Sequence, residues 1–553
     1  MRLLERLGGL HLGQTGLQPR FLEPEPELGI GGLVVGGFQG EPTVRPYYLI
    51  SDSGISQSRR RCGGRLPTGR YSSEGFVLVS AGSVAGAIAY PILRYTPAHP
   101  EFRKTEPLMS TRAPQQSTDI HAKALAINLE ASFYGTFAEI GAGQEVARWF
   151  LSVGAASGTV AQAISAYDKT VSDDTYGAGT RYVSKERLLA MLDYEYQLLL
   201  ARLAKARGAH TRFFVFADTV ATRNYQGTNE QHGWLGFRFQ AEPDGQPNQI
   251  LLHINLGDST AQLQQQAIGT LGVNLIYASH HQRSSPAIFL AGLFDDLSRE
   301  RLEIDVLELA GPVFAGEDSR LWCLELLRTG MSHALVFDSK AQVVEPATPL
   351  HKRPLIVQRT LGGHPGPSAA EAIQTARQKF LAEGIPCDRE PLTILEVTTH
   401  NLEGVAASDS AELLALIEQL APLGTVVLTD YPEGYQVLNY LRRYTDAPIR
   451  VILWISMFLQ DMEERVYLSL PGAVLESLGR LLYTDVTIFV APMRKESLVA
   501  ALGGLPEGLL RESPGRDLLT LDDFLPKPPM DHLFRYLRAA GRIVPLEETQ
   551  TKS

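Results

Sequence analysis

Beyond residue 118 the chain alternates apolar runs with segments whose apolar positions recur at helical spacing. Ser184 precedes one such segment, residues 185–205, and would cap its first turn, so a helix is predicted there. Further helices are predicted over 262–279 and 320–328. The apolar runs are rich in aromatic and branched side chains and are predicted strands: 211–218, 234–239, 250–255, 302–309 and 333–338. Their crowding indicates an α/β fold with a mixed sheet.

A Gly- and Pro-rich stretch at 361–367 separates this region from a second set of alternations. The predicted helices there cover 369–383, 411–420, 435–444 and 473–482. The predicted strands cover 393–398, 425–429, 449–455 and 486–490. Strands that alternate with helices favour a doubly wound, Rossmann-like parallel sheet. We therefore predict an α/β protein with a mixed-sheet domain at 118–360 and a Rossmann-like domain at 361–553.

The first 117 residues show neither the helical nor the strand periodicity of apolar positions, and they contain many Gly and Pro residues. This composition predicts a disordered leader at 1–117. Because clear patterning begins soon after Met109, we hypothesise that translation starts near this methionine. Segment 76–93 carries no charge and approaches the length of a membrane span. Its Gly, Ala and Ser content and Pro91 weaken that interpretation, so a membrane anchor is not expected.

Composition narrows the classes of function. A hydrophobic content of 44% with 20% charged residues is typical of a globular protein. The net charge of −10 argues against binding to nucleic acid, because its phosphates are bound by clustered Lys and Arg. The three cysteines lie far apart without C-x-x-C spacing, so neither a zinc cage nor a disulfide framework is expected. These features indicate a cytoplasmic protein with reduced thiols.

Candidate chemistry begins at a glycine turn between an apolar strand and an amphipathic helix. Glu139 closes the strand, and Gly141, Gly143 and Gln144 follow it. Glycines let the backbone approach a ligand, and the free N–H groups at the start of the next helix favour an anion. The sequence therefore predicts that these four residues bind a cofactor or substrate. The identity of a cofactor does not follow from them.

A second polar group follows strand 211–218. Asp218 ends the strand, and Arg223 and His232 lie in the polar loop beyond it. A loop of this composition can bind a polar substrate, with His232 as a proton carrier, so these three are the predicted catalytic residues. The alternative is a long solvated connection between strands. No metal site is predicted.

A third set of polar residues lies at the ends of the predicted parallel strands. Ligands of such sheets bind beyond the carboxyl ends of the strands. In the second domain these ends carry Thr399, His400 and Asp430. Instead of contacting a ligand, Asp430 could merely cap a turn before Pro432.

Two enzyme motifs partly match the glycine turn. Segment 139–143, Glu-Ile-Gly-Ala-Gly, is similar to the first motif of methyltransferases that use S-adenosylmethionine, but Gln144 stands where a third glycine is often found. Segment 134–137, Tyr-Gly-Thr-Phe, is similar to the opening of nucleotidyltransferases, but the His-x-Gly-His that grips phosphate does not follow. A Walker-type Gly-Lys-Ser/Thr loop is absent from the sequence.

The run from His121 through Glu345 resembles an uncharacterised family of bacterial cytosolic α/β proteins. The resemblance rests on five segments: 134–148, 165–168, 181–184, 216–218 and 232–236. Members often carry the names nicotinate-nucleotide adenylyltransferase or TonB-dependent receptor. The first name requires the His-x-Gly-His that is missing here, and an outer-membrane receptor requires a secretion signal. The resemblance implies an α/β fold and a bacterial origin. It does not identify catalytic residues.

Two functions remain open on this basis. The first is a cytoplasmic enzyme, such as a transferase, that binds a nucleotide or another phosphorylated metabolite at the glycine turn. The second is a non-catalytic binding or scaffold protein, in which two α/β domains dock and the glycines only permit tight packing. The expected partner of the enzyme is that small molecule, and neither nucleic acid nor a membrane is expected.

Overall fold

The chain divides into two compact units, Met1–Ala113 and Pro114–Ser553. A computed structural model describes residues 49–51, 54–56, 76–79, 88–91, 119–179, 181–283, 285–360, 369–385, 388–402, 409–462, 470–504 and 517–546. The hypothesised start at Met109 and the Gly- and Pro-rich stretch at 361–367 lie outside these residues. Most of the predicted leader does so too.

The described residues of the first unit form two pairs of short antiparallel strands. Strand β1 (Leu49–Ser51) pairs with β2 (Gly54–Ser56), and β3 (Phe76–Val79) pairs with β4 (Ile88–Pro91). The uncharged segment 76–93 therefore contains strands β3 and β4. Among the described residues, no helix is both long and apolar enough to cross a membrane.

The second unit contains fifteen described α-helices. They are α1 (Ile120–Asn128), α2 (Glu145–Ser152), α3 (Lys169–Tyr176), α4 (Lys185–Arg207), α5 (Ala261–His281), α6 (Pro286–Leu293), α7 (Ser319–Arg328), α8 (Ala347–Leu350), α9 (Ala369–Ala382), α10 (Ser410–Leu420), α11 (Gly434–Leu441), α12 (Ile455–Asp461), α13 (Ala473–Leu481), α14 (Lys495–Leu502) and α15 (Met530–Ala539). The predicted cap of α4 is confirmed, because the Ser184 hydroxyl accepts the N–H of Arg187 at 3.2 Å.

The described strands of this unit continue the numbering. They are β5 (Phe133–Ile140), β6 (Val160–Ile164), β7 (Arg212–Ala221), β8 (His232–Gln240), β9 (Pro247–Leu256), β10 (Leu302–Ala310), β11 (Ala334–Phe337), β12 (Leu355–Arg359), β13 (Leu392–Thr398), β14 (Thr425–Thr429), β15 (Ile449–Trp454), β16 (Val486–Ala491), β17 (Met493–Arg494), β18 (Leu518–Leu519) and β19 (Ile543–Pro545). The short strands β17 and β18 form an antiparallel pair of their own.

Six strands form a mixed sheet in the order β10-β9-β8-β7-β5-β6. Strands β5, β6 and β7 run parallel, whereas β7, β8, β9 and β10 are joined by antiparallel pairing. The predicted mixed sheet is thus confirmed. Both faces are covered: Phe214 and Phe216 of β7 pack in one apolar cluster, and Val215 and Ala217 pack in another. This burial explains the continuous apolar runs in the sequence.

Seven strands form a second, largely parallel sheet in the order β11-β14-β13-β12-β15-β16-β19. Only the edge strand β11 is antiparallel to its neighbour. If the parallel strands are numbered along the chain, their order is 3-2-1-4-5-6, the order of doubly wound sheets. Helices α9 and α10 pack on the face that carries Leu395 and Leu428, and α11 and α13 pack on the face of Val357 and Val427.

The two sheets meet in one apolar cluster. It contains Leu307 of the six-stranded sheet, Leu327 of α7 and Leu428 of the seven-stranded sheet. Strands β11 and β12 precede residue 360 but belong to the second sheet. The change from one sheet to the other therefore falls before β11, although the division into domains at 360 stays a prediction.

Two elements precede the glycine turn, helix α1 and then β5, the strand that leads into the turn. Asp119 starts this helix, because its carboxylate accepts the N–H of Ala122 at 2.9 Å. A side-chain cap of this kind is a strong start signal for a helix.

Candidate functional site

The glycine turn lies between β5 and α2, as the sequence predicts. Gly141 has φ +95° and Gly143 has φ +77°, a region that side chains rarely adopt. A Cβ on Gly141 would lie 1.9 Å from the carbonyl oxygen of Val220, whereas one on Gly143 would meet nothing within 4 Å. Gly141 is therefore required by close packing between neighbouring strands.

The first turn of α2 is bonded to a carboxylate of the chain itself. Glu139 accepts the N–H of Val146 at 3.0 Å and that of Ala147 at 2.9 Å. Its side chain is fully buried, and this burial raises the pKa of Glu139 to about 7. Gln144 precedes the helix without a side-chain cap. The first N–H groups of the helix are thus already bonded to a side chain of the protein itself, and ligand binding by these four residues stays a prediction.

Asp218 lies beside Glu139, because β5 and β7 are paired in register at these residues. Its Oδ1 accepts the N–H of Ile140 at 3.1 Å, while its buried Oδ2 has no hydrogen-bond partner. Burial first, and the neighbouring Glu139 second, raise the pKa of Asp218 well above its usual value. The structure therefore brings Asp218 to the glycine turn.

The structure separates Asp218 from His232. Asp218 shares a face of the mixed sheet with Phe216, whereas His232 shares the other face with Trp234, which packs against Ala217. Arg223 lies in the exposed loop after β7, and its backbone N–H donates to Gln264 at 2.7 Å. The three predicted catalytic residues therefore do not converge, although His232 lies at a cavity.

This cavity, called the main cavity below, has a volume of about 500 Å³. Its lining combines the His232 face of the mixed sheet with segments next to the seven-stranded sheet. The charged and titratable residues that line it are Glu230, His232, His253, Arg299, Glu300, Glu303, His333, Glu345, Arg443 and Tyr444. A volume of this size accommodates a small metabolite.

Three metal-binding side chains meet at the main cavity. His232 Nδ1 lies 3.0 Å from His253 Nε2, and each nitrogen lies close to Glu345 Oε1, at 3.8 and 3.9 Å. One ligand atom from each residue falls within 4.8 Å of the others. All three side chains are nearly inaccessible to solvent. We call them the His-His-Glu group.

Neighbouring side chains hold this group in place. Asp305 Oδ1 lies 2.6 Å from His253 Nδ1, so the other ring nitrogen, Nε2, points at the group. Asn255 donates to Asp305 Oδ2 at 2.6 Å. Trp234 Nε1 donates to Glu345 Oε2 at 3.3 Å, and Arg181 forms an ion pair with Glu345 Oε1 at 3.4 Å.

Asp305 reaches His253 because β10 is irregular at this point. Ile304 pairs with Ile254 and Val306 pairs with His253, so Asp305 is the extra residue of a β-bulge. A bulge re-aims side chains and is common next to active sites. Here it places a buried carboxylate behind the histidine ring.

The two histidines differ in their electrostatic environment. Burial, followed by the nearby His253 and Arg181, lowers the pKa of His232 to about 4. Burial also disfavours the charged form of His253, but the carboxylate of Asp305 outweighs it and the pKa of His253 is raised. His232 is therefore neutral at physiological pH, the form in which a histidine binds a metal.

Strand ends of the seven-stranded sheet line a second cavity of about 340 Å³. Thr399, His400 and Asp430 all contribute to it, as expected from the parallel topology. Asp430 does not cap a turn through its side chain. Its two carboxylate oxygens instead contact His333 Nδ1 at 2.8 Å and Arg299 Nη1 at 2.9 Å, both from residues of the main cavity.

Sequence reasoning found His232 but missed its partners. His253 lies in a predicted strand, Asp305 lies in another, and Glu345 follows β11 in a connecting segment. A signal was present: His253 with Asn255, and Glu303 with Asp305, are polar pairs two residues apart in otherwise apolar strands. Alternate residues of a strand share a face, so such pairs indicate a polar surface.

Neither the family models nor the curated proteins match this chain. Among solved structures, the competence/damage inducible protein CihA from Agrobacterium tumefaciens is 16% identical, covers 30% of this chain and 98% of its own, and has a TM-score of 0.22. A competence-damaged protein (CinA) superfamily member from Escherichia coli is 14% identical, with coverages of 33% and 94% and a TM-score of 0.21.

Proposed function

We propose that the second unit is a metal-dependent enzyme that activates water at the His-His-Glu group and acts on a small phosphorylated metabolite or nucleotide. The observation that carries this proposal is the convergence of His232, His253 and Glu345 on one point of the main cavity, with Asp305 behind His253. Two histidines and a glutamate form the protein ligand set of several catalytic zinc sites.

The distances within the group suit a small divalent ion. Ligands of a tetrahedral zinc ion with bonds of about 2.0 Å are separated by roughly 3.3 Å. The three separations here are 3.0, 3.8 and 3.9 Å, on both sides of that value. Three protein ligands leave one tetrahedral position for water or substrate. A metal-bound water loses a proton in the neutral pH range and becomes a nucleophile.

The chain supplies the remaining parts of such a reaction. Asp305 fixes the ring of His253 and selects the nitrogen that faces the ion, the role of an outer carboxylate at many zinc sites. Trp234 and Arg181 orient Glu345. Glu303 also lines the cavity, and burial raises its pKa, so it can hold a proton for transfer to a leaving group.

A second mechanism is favoured by one contact. The separation of 3.0 Å between His232 Nδ1 and His253 Nε2 is that of a hydrogen bond. Asp305, His253 and His232 then form a chain that could relay a proton to the cavity without a metal. In that case the two nitrogens that would bind an ion are bonded to each other.

Metal analysis decides between the two mechanisms. The full-length protein is stripped with chelator, dialysed against Zn²⁺, and its bound metal is measured by mass spectrometry. We expect a single ion per chain, lost in His253→Ala and in the near-isosteric Glu345→Gln. Asp305→Asn should weaken binding by about 10- to 100-fold, because the outer partner of His253 is changed.

The matched control is His121→Ala, since the His121 side chain is 66% exposed and lies apart from the group. This variant should bind as much metal as the unmodified protein. Retention of zinc by Glu345→Gln and His253→Ala would refute the metal centre. Absence of zinc from the unmodified protein would favour the proton relay or the scaffold role.

A further inference from the structure

We infer that the main cavity holds the phosphate group of its substrate through Arg443, Arg299 and His333, which form a preassembled phosphate clamp beside the His-His-Glu group. This inference rests on the proposed function for the presence of the metal, and it names the chemistry of the substrate. It moves the predicted phosphate site away from the glycine turn, where Glu139 already occupies the helix start.

The three side chains come from separate segments and line one cavity. Arg299 lies just before β10, His333 just before β11, and Arg443 just after α11. Two guanidinium groups and an imidazole can together donate several charge-assisted hydrogen bonds. Arginine is the preferred residue for phosphate because its planar fork matches the oxygens.

Asp430 places two of these donors side by side. His333 Nδ1 and Arg299 Nη1 contact different oxygens of its carboxylate, at 2.8 and 2.9 Å. The His333 ring also stacks on Tyr431, with ring centres 5.3 Å apart. This bonding uses one nitrogen of each side chain. The other ring nitrogen of His333 remains without a hydrogen bond to any described residue.

Arg443 is the least committed donor of the set. Its guanidinium lies over the Tyr440 ring at 5.6 Å, which fixes the plane of the group. Its ion-pair partner is Glu303, at 3.8 Å, beyond hydrogen-bond range. Within the described part of the chain, no hydrogen bond engages this guanidinium. It is half exposed at the cavity, where a ligand can reach it.

The charge balance of the cavity indicates that a bound metal ion would strengthen the binding of phosphate. Besides Glu303, which is proposed to hold a proton, three carboxylates line the cavity, those of Glu230, Glu300 and Glu345, against two arginines. Without a cation such a surface binds a dianion only weakly. A divalent ion would offset the excess of negative charge. Phosphate should therefore bind more tightly to the metal-loaded protein than to the metal-free protein.

The test is calorimetric titration of inorganic phosphate into the full-length protein, with and without Zn²⁺. We expect Arg443→Gln to weaken phosphate binding by at least about tenfold, as expected for the loss of a hydrogen bond to a charged group. Arg443→Lys keeps the charge but loses the planar guanidinium. Its affinity for phosphate should lie between those of the unmodified protein and Arg443→Gln. Acetate should bind far more weakly than phosphate.

Arg480→Gln is the matched control. Arg480 is 48% exposed, stacks over Tyr435 at 5.6 Å and lies on α13, outside the cavity. Its variant should bind phosphate normally. Equal phosphate affinity in Arg443→Gln and Arg480→Gln would overturn the clamp, and so would acetate binding as tight as phosphate binding.

The metal centre and the clamp can fail separately. If zinc is not taken up, the metal centre is refuted, and the titration without zinc still tests the clamp. Phosphate binding that depends on Arg443 would then support the clamp, and its absence would overturn it. If zinc binds but phosphate does not, the clamp fails and the metal centre stands.

Discussion

At the scale of single residues, the buried acid pair Glu139 and Asp218 couples the stability of the fold to pH. Both side chains are fully buried on neighbouring strands. Glu139 accepts two backbone N–H groups, while one oxygen of Asp218 has no partner. Two ionised carboxylates are disfavoured in such a place, because little solvent is present to stabilise their charge. Burial therefore favours the protonated form of each carboxyl group.

This pair predicts a stability that falls as the pH rises. The pKa values of both groups are raised in the folded state, that of Glu139 from 4.5 to about 7. Their contribution is complete below the unfolded pKa values of about 4 and is lost as the pH rises through the raised folded values, that of Glu139 being about 7. We expect Asp218→Asn, which resembles the protonated acid, to remove part of this loss of stability.

Urea unfolding at pH 5.5 and pH 8 measures this effect. The difference in unfolding free energy between the two pH values should be smaller in Asp218→Asn than in the unmodified protein. Asp174→Asn, a change at an exposed aspartate of α3, serves as the control and should keep the original difference. If the two variants show the same pH dependence, the acid pair does not control stability.

At the scale of elements, the two glycines of the β5–α2 turn have different roles. Gly141 faces a backbone carbonyl at a distance that excludes any Cβ, whereas Gly143 faces open space. We expect Gly141→Ala to cost several kcal/mol, because β5 and β7 must separate. Gly143→Ala should cost on the order of 1 kcal/mol, which is the strain of a positive φ alone.

Thermal unfolding of both variants, side by side, tests this difference. Each variant is the control of the other, since both carry the same substitution two positions apart. The lower melting temperature should belong to Gly141→Ala. Equal melting temperatures would show that the contact with Val220 is relaxed in solution.

Elements were predictable wherever a pattern extended over a whole segment. The predicted strand at 425–429 coincides with β14, and the predicted helix at 185–205 is observed as Lys185–Arg207. Strand β12 was not predicted, because its five residues carry too short a pattern beside Pro354. The bulge at Asp305 was also beyond prediction, since it depends on pairing between β10 and β9 rather than on local sequence.

At the scale of the whole molecule, the candidate site depends on both sheets. His232 and His253 belong to the mixed sheet, whereas Glu345 follows β11 of the second sheet and Arg443 follows α11. Segments this distant in sequence meet only through tertiary packing, so a single sequence gives little sign of their proximity. The clustering of His232 with polar residues was visible, but the identity of its partners was not.

This arrangement predicts that a bound metal stabilises the two sheets together. At a free zinc concentration about 100 times the dissociation constant, binding adds roughly 2.7 kcal/mol to the stability of the folded state. Hydrogen exchange should therefore slow in β8 and β9 and also in β11 and α11. Glu345→Gln provides the control, because it should remove the effect in all four elements. Slower exchange in β8 and β9 alone would contradict a shared site.

The bond between Trp234 and Glu345 gives the protein an optical reporter of its own. The indole N–H of Trp234 donates to the oxygen of Glu345 that is not shared with the histidines. The chain has only four tryptophans, so their fluorescence can be separated by substitution. Any metal ion that binds Glu345 must alter the polarity around this indole. A titration followed by ultraviolet emission would then read the occupancy of the centre without a label or a known substrate.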